Sequence, residues 1–140
     1  MSDLPKQRLI ELAEAKLADA NLLLGESRFS NAYYLAGYAV ELMLKAVLSS
    51  RFQADTIPSK ELVKDIFTHD LNKLLNLADL RQNLAEKQDA DPEFRGRWEI
   101  VLRWKETSRY EIWDADQTAE LIEAIDNPAH GVLQWLRTIL

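Results

Sequence analysis

A chain of 140 residues without cysteine must draw acid–base or phosphate chemistry from histidine, carboxylates, lysine, arginine and hydroxyls, and three stretches bring such groups together. His69 stands in Thr68-His69-Asp70-Leu71 at the expected start of a helix. An imidazole there suits a general acid or base at an exposed helix end, beside Asp70; the structural alternative is an N-terminal cap with the imidazole hydrogen-bonded to a neighbouring helix. The second stretch holds Glu41 and Lys45 in an otherwise apolar run, Asn31 to Leu48. Glutamate four residues before lysine puts both on one helix face in the better orientation for an ion pair, and Tyr34 and Tyr38 continue that face. The four residues make either a partly buried pair completed by tyrosine hydroxyls or the lining of a polar pocket, because a buried charge is costly unless something pairs it. In the third, Phe94 to Tyr110, the basic residues Arg95, Arg97, Arg103, Lys105 and Arg109 outnumber Glu99 and Glu106, with Phe94, Trp98, Trp104 and Tyr110 interleaved. Cations among stacking rings suit single-stranded RNA. Yet Trp98, Val101 and Leu102 share a helical face, which assigns several of the rings to the core.

Other chemistries lack material. Without cysteine there is no disulfide, thiolate metal site or thiol nucleophile. The two histidines, His69 and His130, are isolated and have no repeated ligand spacing, so neither a metal nor any other cofactor is expected. The glycines, at 25, 37, 96 and 131, make no phosphate-cradling loop, and no serine elbow or paired carboxylates occur. A bound nucleotide would therefore rest on side chains such as Arg109 and Lys45. Seventeen basic against 23 acidic residues leave a net charge of −6, which opposes whole-surface attraction to nucleic acid or an anionic membrane. Any RNA contact must be local, no DNA binding is expected, and the N-terminal residues read as cytoplasmic rather than as a secretion signal.

The elements that must position these groups are all helical. Asp3 or Ser2 could cap a first helix with Pro5 in its first turn, a stripe of Ile10, Ala13, Leu17, Ala20 and Leu24, and a stop at Gly25. Ser27 or Ser30 could cap a second, running from about residue 30 to Arg51, and being apolar on every side it should be the enclosed central helix. Ala32, Ala36, Gly37 and Ala39 would let neighbours approach closely; Gly37 costs roughly 1 kcal/mol in helix propensity, so close packing explains it. Residues 53 to 68 read as a loop with a short helical turn, followed by a third helix from Thr68 whose course past Asp79 is open. Pro92 suits the start of a fourth, running to about Lys105, and Glu106 to Asp114 reads as a structured loop. Asp114 or Asp116 could cap the last helical region, where Leu121, Ile122, Ile125, Ala129, Val132, Leu133, Leu136 and Leu140 keep register across a kink or break at Asn127-Pro128. The expected architecture is one all-α domain over 1–140, a bundle of four to five helices.

Tyr34-Leu-Ala-Gly-Tyr-Ala-Val-Glu-Leu-Met-Leu-Lys45, Thr68-His-Asp-Leu71, Ser108-Arg-Tyr110 and Gly131-Val-Leu-Gln-Trp-Leu136, in this order, resemble HEPN-domain proteins over essentially the whole chain. The resemblance implies an antiparallel helical bundle that dimerises face to face in a prokaryotic cytoplasm, often beside a small nucleotidyltransferase-like partner and often as a toxin–antitoxin pair. It also implies, in the active branch, a metal-independent ribonuclease built on an arginine followed closely by a histidine at the dimer cleft. This chain departs from that motif. No arginine lies in Leu62 to Thr68 before His69 or in Glu123 to Ala129 before His130, and Arg109 is followed by Tyr-Glu-Ile-Trp-Asp. The expectation is a homodimeric, non-catalytic binding module whose polar cleft gathers Tyr38, Glu41, Lys45, His69, Asp70, Arg109 and Tyr110. It would take a nucleotidyltransferase-like protein, a nucleotide or RNA. The alternative is a toxin-like endoribonuclease with a divergent site.

Overall fold

The structure, a computed structural model, describes residues 4–52 and 54–140. The expected caps Ser2 and Asp3 lie outside them, and Pro5 stands at the N-cap position of α1 (Lys6–Gly25). Leu9, Ala13, Leu17 and Ala20 are the side chains that α1 buries, against α2. Its stop is not made by Gly25. Ser27 takes the left-handed conformation at φ 60, and the amide of Arg28 closes the turn on the Leu23 carbonyl at 2.8 Å. Nor does Ser27 or Ser30 cap α2 (Phe29–Ser49): its N-cap is Arg28 with no side-chain bond, and the Ser30 hydroxyl instead accepts from the amide of Trp113 at 2.9 Å.

α2 is the central helix. It buries 13 of its 21 residues and packs against α1, α4, α7, α8 and a short 3-10 helix, Glu106–Tyr110. Full burial of a leucine or methionine contributes about 1.5–3 kcal/mol, so Leu42, Met43, Leu44 and Leu48 anchor the bundle. The stretch after it holds α3 (Lys60–Asp65), capped by Ser59 and burying none of its residues. The third expected helix is two: α4 (Leu71–Leu77) and α5 (Arg81–Ala90), parted where Asp79 adopts φ 59. Aspartate tolerates this conformation better than most residues because its short polar side chain bonds locally.

Asp91 caps α6 (Pro92–Leu102), which begins on proline as expected and buries Phe94, Trp98 and Val101. The 3-10 helix then leads to α7 (Ala115–Asp126), where Asp114 and Gln117 form a reciprocal capping box. The chain breaks at Asn127-Pro128 and resumes as α8 (Val132–Ile139). Leu121, Ile122 and Ile125 before the break and Val132, Leu133 and Leu136 after it all reach one continuous core. The architecture is all-α, with eight α-helices and no strand among the described residues. None of these helices is long and apolar enough to cross a membrane.

Candidate functional site

Glu41 lies in the middle of α2 and is 2% exposed. Such a carboxylate must be partnered, and two cations or donors reach it. Lys45, one turn on, places Nζ 3.3 Å from Oε2, and His69 places Nδ1 3.1 Å from both Oε1 and Oε2. An ionised carboxylate only accepts, so Nδ1 carries the hydrogen. The other ring nitrogen of His69, Nε2, bonds to nothing among the described residues, and the side chain is 49% exposed. Asp70 caps α4, its Oδ1 accepting from the Lys73 amide at 3.0 Å, and the cap fixes where α4 begins and so where His69 stands.

A cleft of about 520 Å³ opens beside this group. One wall is the start of α4, His69 to Asn72; the other runs from Leu102 through Trp104, Lys105, Glu106 and Thr107. Trp104 forms its floor. The indole is 2% exposed, donates from Nε1 to the Tyr34 carbonyl at 3.1 Å, and rests on Tyr34 with ring centroids 5.9 Å apart. It lies directly over Gly37, where a Cβ would come well inside 3.0 Å of the ring. The small residue in α2 thus admits an indole ring rather than another helix.

The remaining expected site residues lie around this cleft without lining it. Tyr38 sits between Tyr34, at 5.9 Å in an edge arrangement, and the Lys16 ammonium of α1, 5.9 Å above its ring. Burial, then the nearby Glu41 charge, push its hydroxyl pKa up. Arg109 and Tyr110 pair with one another on the 3-10 helix, Nη2 to the hydroxyl at 2.8 Å, and Arg109 also meets Glu106 at 2.8 Å. That hydrogen bond with Tyr110 is the main cause that raises the guanidinium pKa. Tyr110 is 74% exposed.

The basic and aromatic stretch divides as its helical face implies. Phe94, Trp98 and Trp104 are buried. Arg95 pairs with Asp89, Arg97 with Glu123 and Arg103 with Glu120, so its arginines are largely neutralised. No group of three or more histidine or acidic side chains among the described residues could hold a metal ion.

The geometry belongs to an all-helical domain with a polar pair at its centre and a cleft at its side. A family model, HEPN domain, matches residues 7–139, and the chain belongs to that family. Membership supports a nucleotide- or RNA-related function. No curated protein and no solved structure matches the chain significantly.

Proposed function

We propose that this protein is a single-domain, dimeric, non-catalytic HEPN module, and that the cleft between His69 and Thr107 takes a nucleotide or RNA end or the residues of a nucleotidyltransferase-like partner. The observation that carries this reading is the division of labour at Glu41. The buried carboxylate consumes Lys45 and one nitrogen of His69, leaving Nε2 and the Lys105 side chain to meet a ligand at the cleft. Trp104 and Leu102 supply the apolar floor such sites need to exclude water. A cytoplasmic setting and face-to-face pairing of two copies complete the proposal.

The Glu41–His69 contact favours a second reading, a toxin-like endoribonuclease in which His69 transfers protons. A carboxylate that fixes Nδ1–H leaves Nε2 poised as a base. The two readings part on one experiment. Purified protein is incubated with single-stranded and structured RNA in chelator, while binding is followed in parallel. Retention of intact RNA, with affinity lowered by Lys105→Ala, supports the module; cleavage that disappears in His69→Ala overturns it. Light scattering that gives a monomer at micromolar concentration would refute the dimer.

A further inference from the structure

A second concavity, of about 160 Å³, lies between the start of α2, the end of α6 and α7, and shares no lining residue with the cleft at His69. Three hydrogen bonds hold its frame. The Ser30 hydroxyl accepts from the Trp113 amide at 2.9 Å, the Trp113 indole donates to the Ser108 carbonyl at 3.1 Å, and the buried Thr118 hydroxyl donates to the Phe29 carbonyl at 3.2 Å. Trp113 is thereby laid flat on Tyr33, with ring centroids 3.7 Å apart and planes 8° from parallel. Ile100 and Leu121 supply apolar wall, and Arg103, Gln117 and Glu120 a polar rim.

The Tyr33 hydroxyl points to a ligand. The residue is 4% exposed, yet its hydroxyl has no hydrogen-bond partner among the described residues. A buried phenol normally finds one. No wholly enclosed side-chain oxygen or nitrogen among the described residues goes unpartnered, so the hydroxyl keeps part of the accessibility left to Tyr33, and it is reached through the pocket. Two groups on the rim are only half used. Glu120 meets Arg103 through Oε1 alone, in a pair whose side chains are both more than half exposed and which therefore holds weakly. Gln117 accepts from the Asp114 amide through Oε1, while its Nε2 bonds to nothing among the described residues.

Charge and size select the occupant. At the Tyr33 hydroxyl Glu111 outweighs Arg103 and Glu120 adds to it, so the local field favours a cation and opposes a phosphate. The volume is below the roughly 300 Å³ at which small-molecule sites begin, too little for a nucleotide but enough for the head of one side chain. Beside Trp113, Ile112 is 95% exposed, an apolar side chain held out on a rigid loop as interface anchors are. A second copy docking by this same face would set Glu111 and Glu120 against their own counterparts. We propose that the pocket takes an arginine side chain from a peptide segment of a partner protein, whose next apolar residue covers Ile112. The guanidinium fork serves the Tyr33 hydroxyl and Glu120 together, which a lysine ammonium does less well, and Gln117 Nε2 donates to a carbonyl of the segment.

The probe is a capped dipeptide, arginine then leucine, titrated into the whole protein while the Ile112 methyl and Trp113 indole N–H signals are followed by NMR. Both signals should move and saturate, and added salt should weaken the binding. Tyr33→Phe keeps the stacked ring and loses no internal hydrogen bond, and should lower affinity roughly 3- to 10-fold, with Glu120→Gln lowering it at least as much. Ile112→Ser should weaken the dipeptide but leave N-acetylarginine amide, which lacks the leucine, unaffected. Unmoved signals, leaving only water at the phenol, would overturn the proposal. So would equal binding of a norleucine-leucine dipeptide, binding of inorganic phosphate in its place, or signals that move with protein concentration alone, as a second copy would cause. N-acetylarginine amide binding as tightly as the dipeptide would also overturn it, since the site would then serve a free small cation.

Discussion

Replacing Gly37 by alanine sets two effects of known size against each other. Within a helix, Gly→Ala gains about 1 kcal/mol in propensity. Here the new Cβ would fall on the Trp104 indole, against three of its ring atoms, and ordinary contact at 3.4 Å requires the ring to retreat by about 1 Å. The ring is 2% exposed, so retreat means displacing packed neighbours, at about 1–3 kcal/mol. It also strains the Nε1 bond to the Tyr34 carbonyl, which contributes about 1 kcal/mol. The net expectation is a loss of about 2 kcal/mol, or about 6–8 °C in Tm at this chain length. Urea denaturation followed by tryptophan fluorescence measures it, with an unchanged slope confirming that the unfolded state is unaffected. Because Trp104 is the cleft floor, ligand affinity should fall with it. Trp104→Leu in the same background should recover part of the loss, since the two substitutions act on one contact. A Gly37→Ala protein more stable than the wild type, or strict additivity with Trp104→Leu, would refute the packing argument.

Three further outcomes follow from the same contacts. Glu41→Ala should cost about 3 kcal/mol in denaturant unfolding, because it opens a cavity and strands Lys45, whereas Lys45→Met should cost about 1, since methionine keeps the volume and His69 still partners the carboxylate. Asp91 is held down to about 2 against an ordinary 3.8, so the unfolded chain takes up that proton first; the stability it contributes should be intact above about pH 4 and lost as pH falls towards 2, a slope that Asp91→Asn removes in acid denaturation. Tyr33 is pushed up to about 12, first by burial and then by Glu111, so its contribution should disappear as pH rises from 10 towards 12. Tyrosinate absorbance should show a late ionisation near 12, beyond that of Tyr38, which Tyr33→Phe removes.

What the sequence disclosed divides by range. The Glu41–Lys45 pair and the registration of the core stripe across Pro128 follow from helical spacing alone, and residue type places Pro92 at the start of α6 and Asp114 at the cap of α7. The close approach at Gly37 was legible as a need for space, but its occupant was not: Trp104 comes from 67 positions away, and no local pattern marks it. The split between α4 and α5 rests on a single aspartate in a left-handed conformation, a weak signal in a stretch otherwise periodic. The expected serine caps of α2 straddle the cap position, Ser27 in the left-handed turn before Arg28 and Ser30 already inside the helix, where its hydroxyl accepts from the Trp113 amide. Likewise the Asp91–His130 pair spans 39 residues and required the fold.

The two histidines show why residue type alone could not locate the chemistry. Each is bound by carboxylate, and each was equally visible in the sequence. At His69 one buried glutamate occupies a single ring nitrogen with both of its oxygens, and half the ring faces a cleft. At His130 each nitrogen faces a carboxylate, Nδ1 at 2.7 Å from Asp91 and Nε2 at 2.6 Å from Glu93, so neither is turned to an open cleft. Accessibility of the second nitrogen, rather than the presence of an acidic partner, is what separates a ring able to act on a ligand from one confined to holding helices together. Arg109 fails the same criterion from the cationic side: its fork is shared between Tyr110 and Glu106, so its charge is already met before any phosphate arrives. Among the residues that line the cleft, the cationic side chain is then Lys105 and the imidazole is His69.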